Sequence, residues 1–413
     1  MNWSAEDAER HLLSLELFGM RFGLDRMRRL TNALSLPQQR YASVHVVGSN
    51  GKSSTVRMTA AILEHHGRHT GAYLSPHLRS FCERIRVDGE DVEPEAFGAA
   101  VQRAAHAAEL VNRTLSDGDR VTQFELLTAA AFDELARRHV DVAVIEAGLG
   151  GRFDATNVIP SSVQVLTTVG LEHTRWLGPT VRDIAREKLA VVQDSGTLVV
   201  GDVPPEALEE AEAAAERHGA TLVRAVADDD VELGSPSPFQ RRNFALARAA
   251  TEALIGPLDE DAVRAAALAV SVPGRMDAVD VRPLTILDGA HNPSGMRALA
   301  EALVELSQDR LVGVVSILDD KDAADMLRAL LPLCDAVVFT KNANPRALSP
   351  ATLASLASQV SEGVETTVEA DPHRALARAR ELAGEAGLVI ATGSIYLVAD
   401  LVNPPGARRA SML

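Results

Sequence analysis

The chain has no apolar run long enough to cross a membrane. It is nearly without cysteine: its 413 residues hold two, Cys82 and Cys334, far apart in sequence. That excludes a disulfide framework or a zinc ribbon and suits a reducing compartment. Aromatic residues are scarce at 4%, and positive charge is outweighed, for a formal net charge of −16. Such a balance excludes a broad surface for nucleic acid or anionic lipid, though not a local basic pocket. The opening MNWSAEDAER has no basic segment followed by an apolar one, so no signal peptide is expected and the chain reads as cytoplasmic. Internal repeats and low-complexity tracts are also missing. What remains is the composition of a globular protein, with length for two or three domains.

The most informative stretch is Val44 to Val56, VHVVGSNGKSSTV. A β-branched apolar run breaks at Gly48, and after Gly51-Lys52 the pattern becomes helical, with Val56, Ala60 and Leu63 at i, i+4 and i+7. Strand, glycine loop and helix in that order make a phosphate-binding loop. Glycines let backbone N–H groups approach phosphate oxygens, the helix N-terminus adds partial positive charge, and Lys52 adds a full one. The spacing is the short G-x-x-G-K-S, because Val46 stands where the longer pattern has its first glycine. A plain strand-to-helix turn with a surface lysine is the competing reading.

Three polar residues then fall at predicted strand ends. Ser75, before Pro76, follows a strand at 70–74; proline keeps Ser75 extended, as an oxygen donor or an ordinary turn serine. Glu146 ends a strand at 141–145 and precedes Gly148, Gly150 and Gly151, whose small size leaves room for a ligand. A carboxylate there sits where open α/β sheets bind ligands and suits Mg²⁺. His173 follows a strand at 164–169. Lys188, on a helix over 180–192, reads from the residues alone as a solvated charge.

A helix over 4–17 is expected, with Ser4 as N-cap and Leu12, Leu13 and Leu17 on one face, then a glycine-broken loop at 18–24 and a helix over 25–35. Arg84–Val87 reads as a strand, 94–113, 122–139 and 204–218 as helices, 197–200 as a strand, and 226–239 as a loop before helices at 240–255 and 259–270. Val272-Pro273-Gly274-Arg275 reads as a hinge. Beyond it strands at 284–287, 311–316, 335–340, 364–368 and 387–391 alternate with helices, which predicts a second, smaller, mostly parallel α/β domain. Its first strand runs into Asp288-Gly289-Ala290-His291-Asn292-Pro293. The tail from Asn403 is expected to fray.

Together GSNGKSS (48–54), YLSPHL (73–78), ERIRVDG (83–89), TQFELLTAAAF (122–132), EAGLGGRFDATNV (146–158), LEHTRWLG (171–178), AREK (185–188), PGRM (273–276), DGAHNP (288–293) and GSIYLV (393–398) resemble the folylpolyglutamate synthase/dihydrofolate synthase family of Mur-type ATP-dependent amide ligases. The resemblance covers nearly the whole chain. It implies a P-loop Mur-ligase-like domain over 1–272 and a smaller Rossmann-like α/β domain over 273–413 that takes the glutamate side and closes over ATP. It implies a reaction in which a pteroate or folate carboxylate becomes an acyl phosphate and is then attacked by the amine of L-glutamate.

By that resemblance Ser75 and Glu146 hold one Mg²⁺, and Glu146 with His173 a second. Lys52 contacts the phosphates and Lys188 is carbamylated; Lys52, His173 and Lys188 form the catalytic set. ATP is held by Gly48, Ser49, Asn50, Gly51, Lys52, Ser53, Ser54 and Asn243, and from the second domain by Arg275, Asp288 and His291. Gly23 and Leu24 in the FGLDRM loop, Thr122 and Phe124 lie at the pterin, and Ser394 at substrate. The implied partners are small molecules, with no nucleic acid or membrane, acting on a monomer. The family loop reads GTNGKGS, so Ser49 replaces Thr and Ser53 replaces Gly. Ser53 makes the loop more like that of Mur ligases, where a hydroxyl after the lysine contacts Mg²⁺. A Mur-type ligase on another carboxylate, or an ATP-binding relative without catalysis, are the alternatives.

Overall fold

A computed structural model describes residues 3–15, 23–227, 231–234, 237–306, 310–361 and 363–405. Its first sheet is eight-stranded, in the order β4 (Glu90–Asp91), β3 (Ile85–Val87), β2 (Thr70–Tyr73), β5 (Val142–Glu146), β1 (Ala42–Val47), β6 (Val163–Leu166), β7 (Thr197–Val200), β8 (Thr221–Arg224). Strands β2, β5, β1, β6, β7 and β8 are parallel, while β3 and β4 form an antiparallel edge. The chain leaves β1 towards β2 on one side and later returns to β6 on the other. This puts the crevice of the sheet at the C-terminal end of β1, between β5 and β6.

Period-2 alternation gives each strand two buried faces. In β5, Val142 and Val144 pack with Val44, Val56 and Leu63 under the helix Lys52–His65, while Ala143 and Ile145 face Phe97 and Phe132 of the helices Pro94–Asn112 and Gln123–Arg137. Val144 and Ile145 are fully buried, worth about 2 kcal/mol each by area removed from water. The helices Pro238–Ile255 and Glu260–Ala269 also belong to this body, since Phe244, Ala247 and Val263 close over Met58 and Ile62.

The second sheet is six-stranded: β13 (Glu365–Val368), β12 (Ala336–Phe339), β11 (Leu311–Val315), β14 (Leu388–Thr392), β10 (Leu284–Leu287), β9 (Asp277–Val281). All pairs are parallel except β9 with β10. The helix Pro293–Glu305 meets the helix Pro238–Ile255 of the first body through Arg241–Glu305 and Arg242–Glu301 ion pairs at 3.3 and 2.9 Å.

Several expectations need correction. Leu13 is 45% exposed, because 100° per residue carries it off the face that buries Ala8 and Leu12; Leu17 and residues 18–22 lie outside the described residues. Arg84 closes a 3₁₀ turn, Phe81–Arg84, and the strand begins one residue later. The edge strands β4, β8 and β9 and the helices Thr174–Leu177 and Ile395–Val402 were not expected. Edge strands have only one neighbour, so their sequences carry a weaker apolar signal. The tail is described only as far as residue 405.

Candidate active site

Gly48 and Gly51 shape the loop after β1. Gly48 has φ +152, and a Cβ there would lie 1.8 Å from the Thr167 hydroxyl. Gly51, the cap of the helix Lys52–His65, has φ +86, and a Cβ would lie 2.3 Å from Asn243 Oδ1. Asn243, in the helix Pro238–Ile255, therefore stands directly against the loop, a contact that sequence spacing does not reveal. The loop is tied to the end of β6: Ser49 N donates to Thr168 O at 2.8 Å, Asn50 N to Thr168 Oγ1 at 2.9 Å, and Thr167 Oγ1 to Asn50 O at 2.6 Å. Ser54 is buried, and its hydroxyl has no partner among the described residues.

Glu146, at the end of the neighbouring β5, is 2% exposed. Its Oε1 accepts from Ser53 Oγ at 2.9 Å and its Oε2 from Ser75 N at 3.1 Å. Burial raises its pKa, opposed by Lys52, the two donors and Arg275. The Ser53 hydroxyl thus faces Glu146 as well as standing at a helix N-terminus. The three glycines after Glu146 do not hold ligand space open as expected. Gly148 lies under the Phe124 ring, where a Cβ would be 2.5 Å away, and Gly151 against the backbone of Lys188. Their small size brings the helix Val181–Leu189 and Phe124 up to the site.

Lys188 is the largest departure from the residue-only reading. It is 1% exposed, not solvated. Its Nζ donates to Gly48 O and to Glu172 Oε1, both at 2.9 Å. Burial draws its pKa down, partly offset by Glu172. Burial alone would raise Glu172, but Lys188 and Lys52 overcome it and hold that carboxylate well below its usual range. Lys52 Nζ donates to the same Gly48 carbonyl at 3.0 Å and to Ser49 O at 3.4 Å. His173, with φ +46 at the cap of Thr174–Leu177, is drawn down to about 4 by burial and by Lys321, so its imidazole is neutral at pH 7. It makes no hydrogen bond to Glu146.

The second sheet points its strand ends at this crevice. Asp288, after β10, accepts from Met276 N at 2.9 Å and Ala290 N at 2.8 Å; burial raises it, opposed by Arg275. Arg275 lies against Gly289 and donates to Gly274 O at 3.1 Å. His291 Nδ1 contacts Gly289 O at 2.9 Å, and burial with Lys321 brings it down to about 4. Ser394 is buried after β14 and caps its helix through Tyr396 N at 3.2 Å.

The residues expected at the pterin sit at the starts of two helices that pack together. Gly23 and Leu24 lead into the helix Asp25–Ala33, whose Arg26 reaches Glu125 at 3.0 Å. Glu125 completes the capping box of Thr122, so the Thr122 hydroxyl is committed to its helix, while Phe124 lies 6.2 Å from Tyr73, centroid to centroid. Phe22 lies outside the described residues.

Glu172, Asn292, Ser294 and Lys321 were not singled out from the sequence. Asn292 and Asn50 exchange amide hydrogen bonds at 3.0 and 3.2 Å, and Asn50 Nδ2 also reaches Ser294 Oγ at 3.0 Å, clasping the loop to the second sheet. Asn292 and Glu172 lie inside quoted motifs, next to residues that were chosen; Lys321 follows the strand end of β11.

A family model for the Mur ligase glutamate ligase domain matches residues 274–395. The dihydrofolate synthase/folylpolyglutamate synthase of Mycobacterium tuberculosis is 36% identical over 81% of this chain and 77% of its own. The chain belongs to the dihydrofolate synthase/folylpolyglutamate synthase family. The structure of M. tuberculosis folylpolyglutamate synthase complexed with ADP superposes on this family member with TM-score 0.91 at 32% identity, covering 98% of this chain and 99% of that one. A Yersinia pestis bifunctional folylpolyglutamate synthase/dihydrofolate synthase with Mn, AMPPNP and L-glutamate bound superposes with TM-score 0.84 at 30% identity, covering 97% of each. Among the described residues no helix is long and apolar enough to cross a membrane.

Proposed function

We propose that this protein joins L-glutamate to the carboxylate of a pteroate or folate at the expense of ATP. The observation that carries the reading is Glu146, buried between Ser53, Ser75 and the phosphate-loop lysine. A carboxylate oxygen of the acceptor attacks the γ-phosphorus of ATP, and the bond to the ADP oxygen breaks. The glutamate amine then attacks the acyl carbon, phosphate leaves with the electron pair of its C–O bond, and the nitrogen loses its proton.

Negative charge gathers where these groups meet, so the work of the chain is electrostatic. Lys52 and the N–H groups at the start of its helix take the phosphates, while those of Ser49 and Asn50 hold the loop to Thr168. Arg275, Asp288 and His291 bring the second body to the nucleotide, with Asn243 at the loop. Ser53, Ser75 and Glu146 are hard oxygen donors, which fit Mg²⁺, and neutral His173 offers a nitrogen to a second ion. Such an ion would neutralise charge on the phosphates. Lys188 is read as a carbamate carrier: burial favours its neutral amine, whose lone pair attacks the carbon of CO₂ as the nitrogen gives up a proton. Gly23, Leu24, Thr122 and Phe124 line the pterin side, and Ser394 with Lys321 the glutamate side. The boundary is placed at 272/273, between the last contact of Val272 with Met58's cluster and the start of β9.

The test is phosphate release and product mass with ATP, Mg²⁺ and glutamate, offering dihydropteroate and tetrahydrofolate in turn. A glutamate-dependent release with product heavier by one glutamyl unit is expected. No release with either acceptor overturns the reading and favours a different carboxylate.

A further inference from the structure

Arg57 lies on the helix Lys52–His65 four residues after Ser53, on the same face and about 6 Å further along the axis. It is half-buried, yet it makes no hydrogen bond or ion pair among the described residues. The chain's other sheltered arginines do: Arg26 with Glu125, Arg103 with Asp133 and Glu134, Arg84 with His77. Four charged groups act on Arg57, namely Arg86, Asp91, Glu83 and Glu146. Every carboxylate among them is committed elsewhere. Glu83 accepts from the N–H groups of Leu78, Arg79 and Ser80 at 2.7–2.8 Å. Asp91 pairs with Arg86, and both Glu146 oxygens are taken by Ser53 and Ser75. Burial and Arg86 draw the guanidinium down to about 10, so it stays charged at neutral pH. A sheltered guanidinium with its donors unspent is costly unless an anion comes to it.

The two classes of acceptor differ in anions. Pteroate ends in a single carboxylate, which is the one that reacts. A folate ends in glutamate and carries a second carboxylate on the α-carbon, two methylenes from the reacting one. With the reacting carboxylate beside Ser75 and Glu146, the second is held within a few bonds of it, as Arg57 is held within one helical turn of Ser53. We propose that Arg57 is a specificity-determining residue that binds this second, non-reacting carboxylate and so favours acceptors already ending in glutamate. The inference rests on the glutamate-ligase reading above.

The test compares kcat/KM for dihydropteroate and for tetrahydrofolate in the unsubstituted protein, Arg57→Gln and Arg57→Lys. In Arg57→Gln the ratio of tetrahydrofolate to dihydropteroate efficiency falls at least tenfold, carried by KM for tetrahydrofolate, as expected for one charge-assisted contact. Arg57→Lys restores part of it, and decides by the same ratio if the glutamine variant does not fold. An unchanged ratio overturns the inference, as does an unsubstituted protein that uses dihydropteroate and not tetrahydrofolate. An unsubstituted protein that uses neither overturns the ligase reading itself.

Discussion

Replacing Lys188 by Met removes one half of a buried ion pair. The ammonium is 1% exposed and the Glu172 carboxylate side chain 8% exposed, with 2.9 Å between them. Stranding a buried carboxylate costs about 3–5 kcal/mol, more than the pair itself contributes. At about 2–4 °C per kcal/mol for a body of this size, Tm falls by roughly 10 °C. Replacing both residues, as Lys188→Met with Glu172→Gln, leaves no stranded charge and recovers more than half of that loss. Differential scanning calorimetry on the three proteins reads both numbers. A double variant no more stable than the single one would refute the reasoning, since the cost would then come from lost packing and the Gly48 contact. Activity separates the chemical role from the structural one. Lys188→Ala abolishes glutamate-dependent phosphate release, and formate or acetate partly restores it if a carboxylate on that side chain is what the site requires. A wild-type rate in Lys188→Ala removes the residue from the mechanism.

Gly48→Ala places a methyl 1.8 Å from the Thr167 hydroxyl at a backbone angle that disfavours side chains, so Tm drops and ATP affinity falls at least tenfold, measured by calorimetric titration. Ser53→Ala deletes the 2.9 Å donor to Glu146, and the Mg²⁺ concentration for half-maximal rate should rise several-fold; an unchanged Mg²⁺ curve would remove Ser53 from the metal site. Asn292→Ala breaks the reciprocal amide pair with Asn50, about 1 kcal/mol per hydrogen bond, and lowers kcat/KM while leaving far-UV circular dichroism intact. His45 is fully buried with Nε2 on Thr156, and burial lowers it from 6.5 to about 3. A depressed base stabilises the fold above pH 6.5 and loses that contribution as pH falls towards 3. Between pH 7 and pH 4 the protein therefore loses about 3 kcal/mol through His45 alone. In His45→Gln that part of the acid sensitivity is absent; parallel urea midpoints at the two pH values would contradict it only if both proteins lost stability equally.

The central strands were legible because each is buried on both faces and so reads as a run of β-branched residues: Val142–Ile145 and Thr197–Val200 are such runs. Short edge strands such as β9, which has no fully buried residue, carry no comparable run. Helix starts were legible where a cap declares itself, as Ser4 and Thr122 do with their capping boxes. Leu13 was misplaced because neighbours on a helix stand 100° apart, which turns it off the face that buries Leu12.

The site divides the same way. Local chemistry in the chain determined the phosphate loop, since glycine torsions, a helix N-terminus and Lys52 are all specified within a few residues. It also determined that Ser75 and His173 follow strands and that Glu146 ends one, so that all three stand at one edge of a parallel sheet. Only tertiary structure decided that Lys188 is buried against Glu172, that Ser53 turns to Glu146, and that Asn292 clasps Asn50 across 242 positions of chain. It alone left Arg57 sheltered without a partner among the described residues. Burial and pairing depend on which elements pack together, and a lysine or arginine on a helix looks the same in sequence whether its neighbour is water, a carboxylate or another subsite.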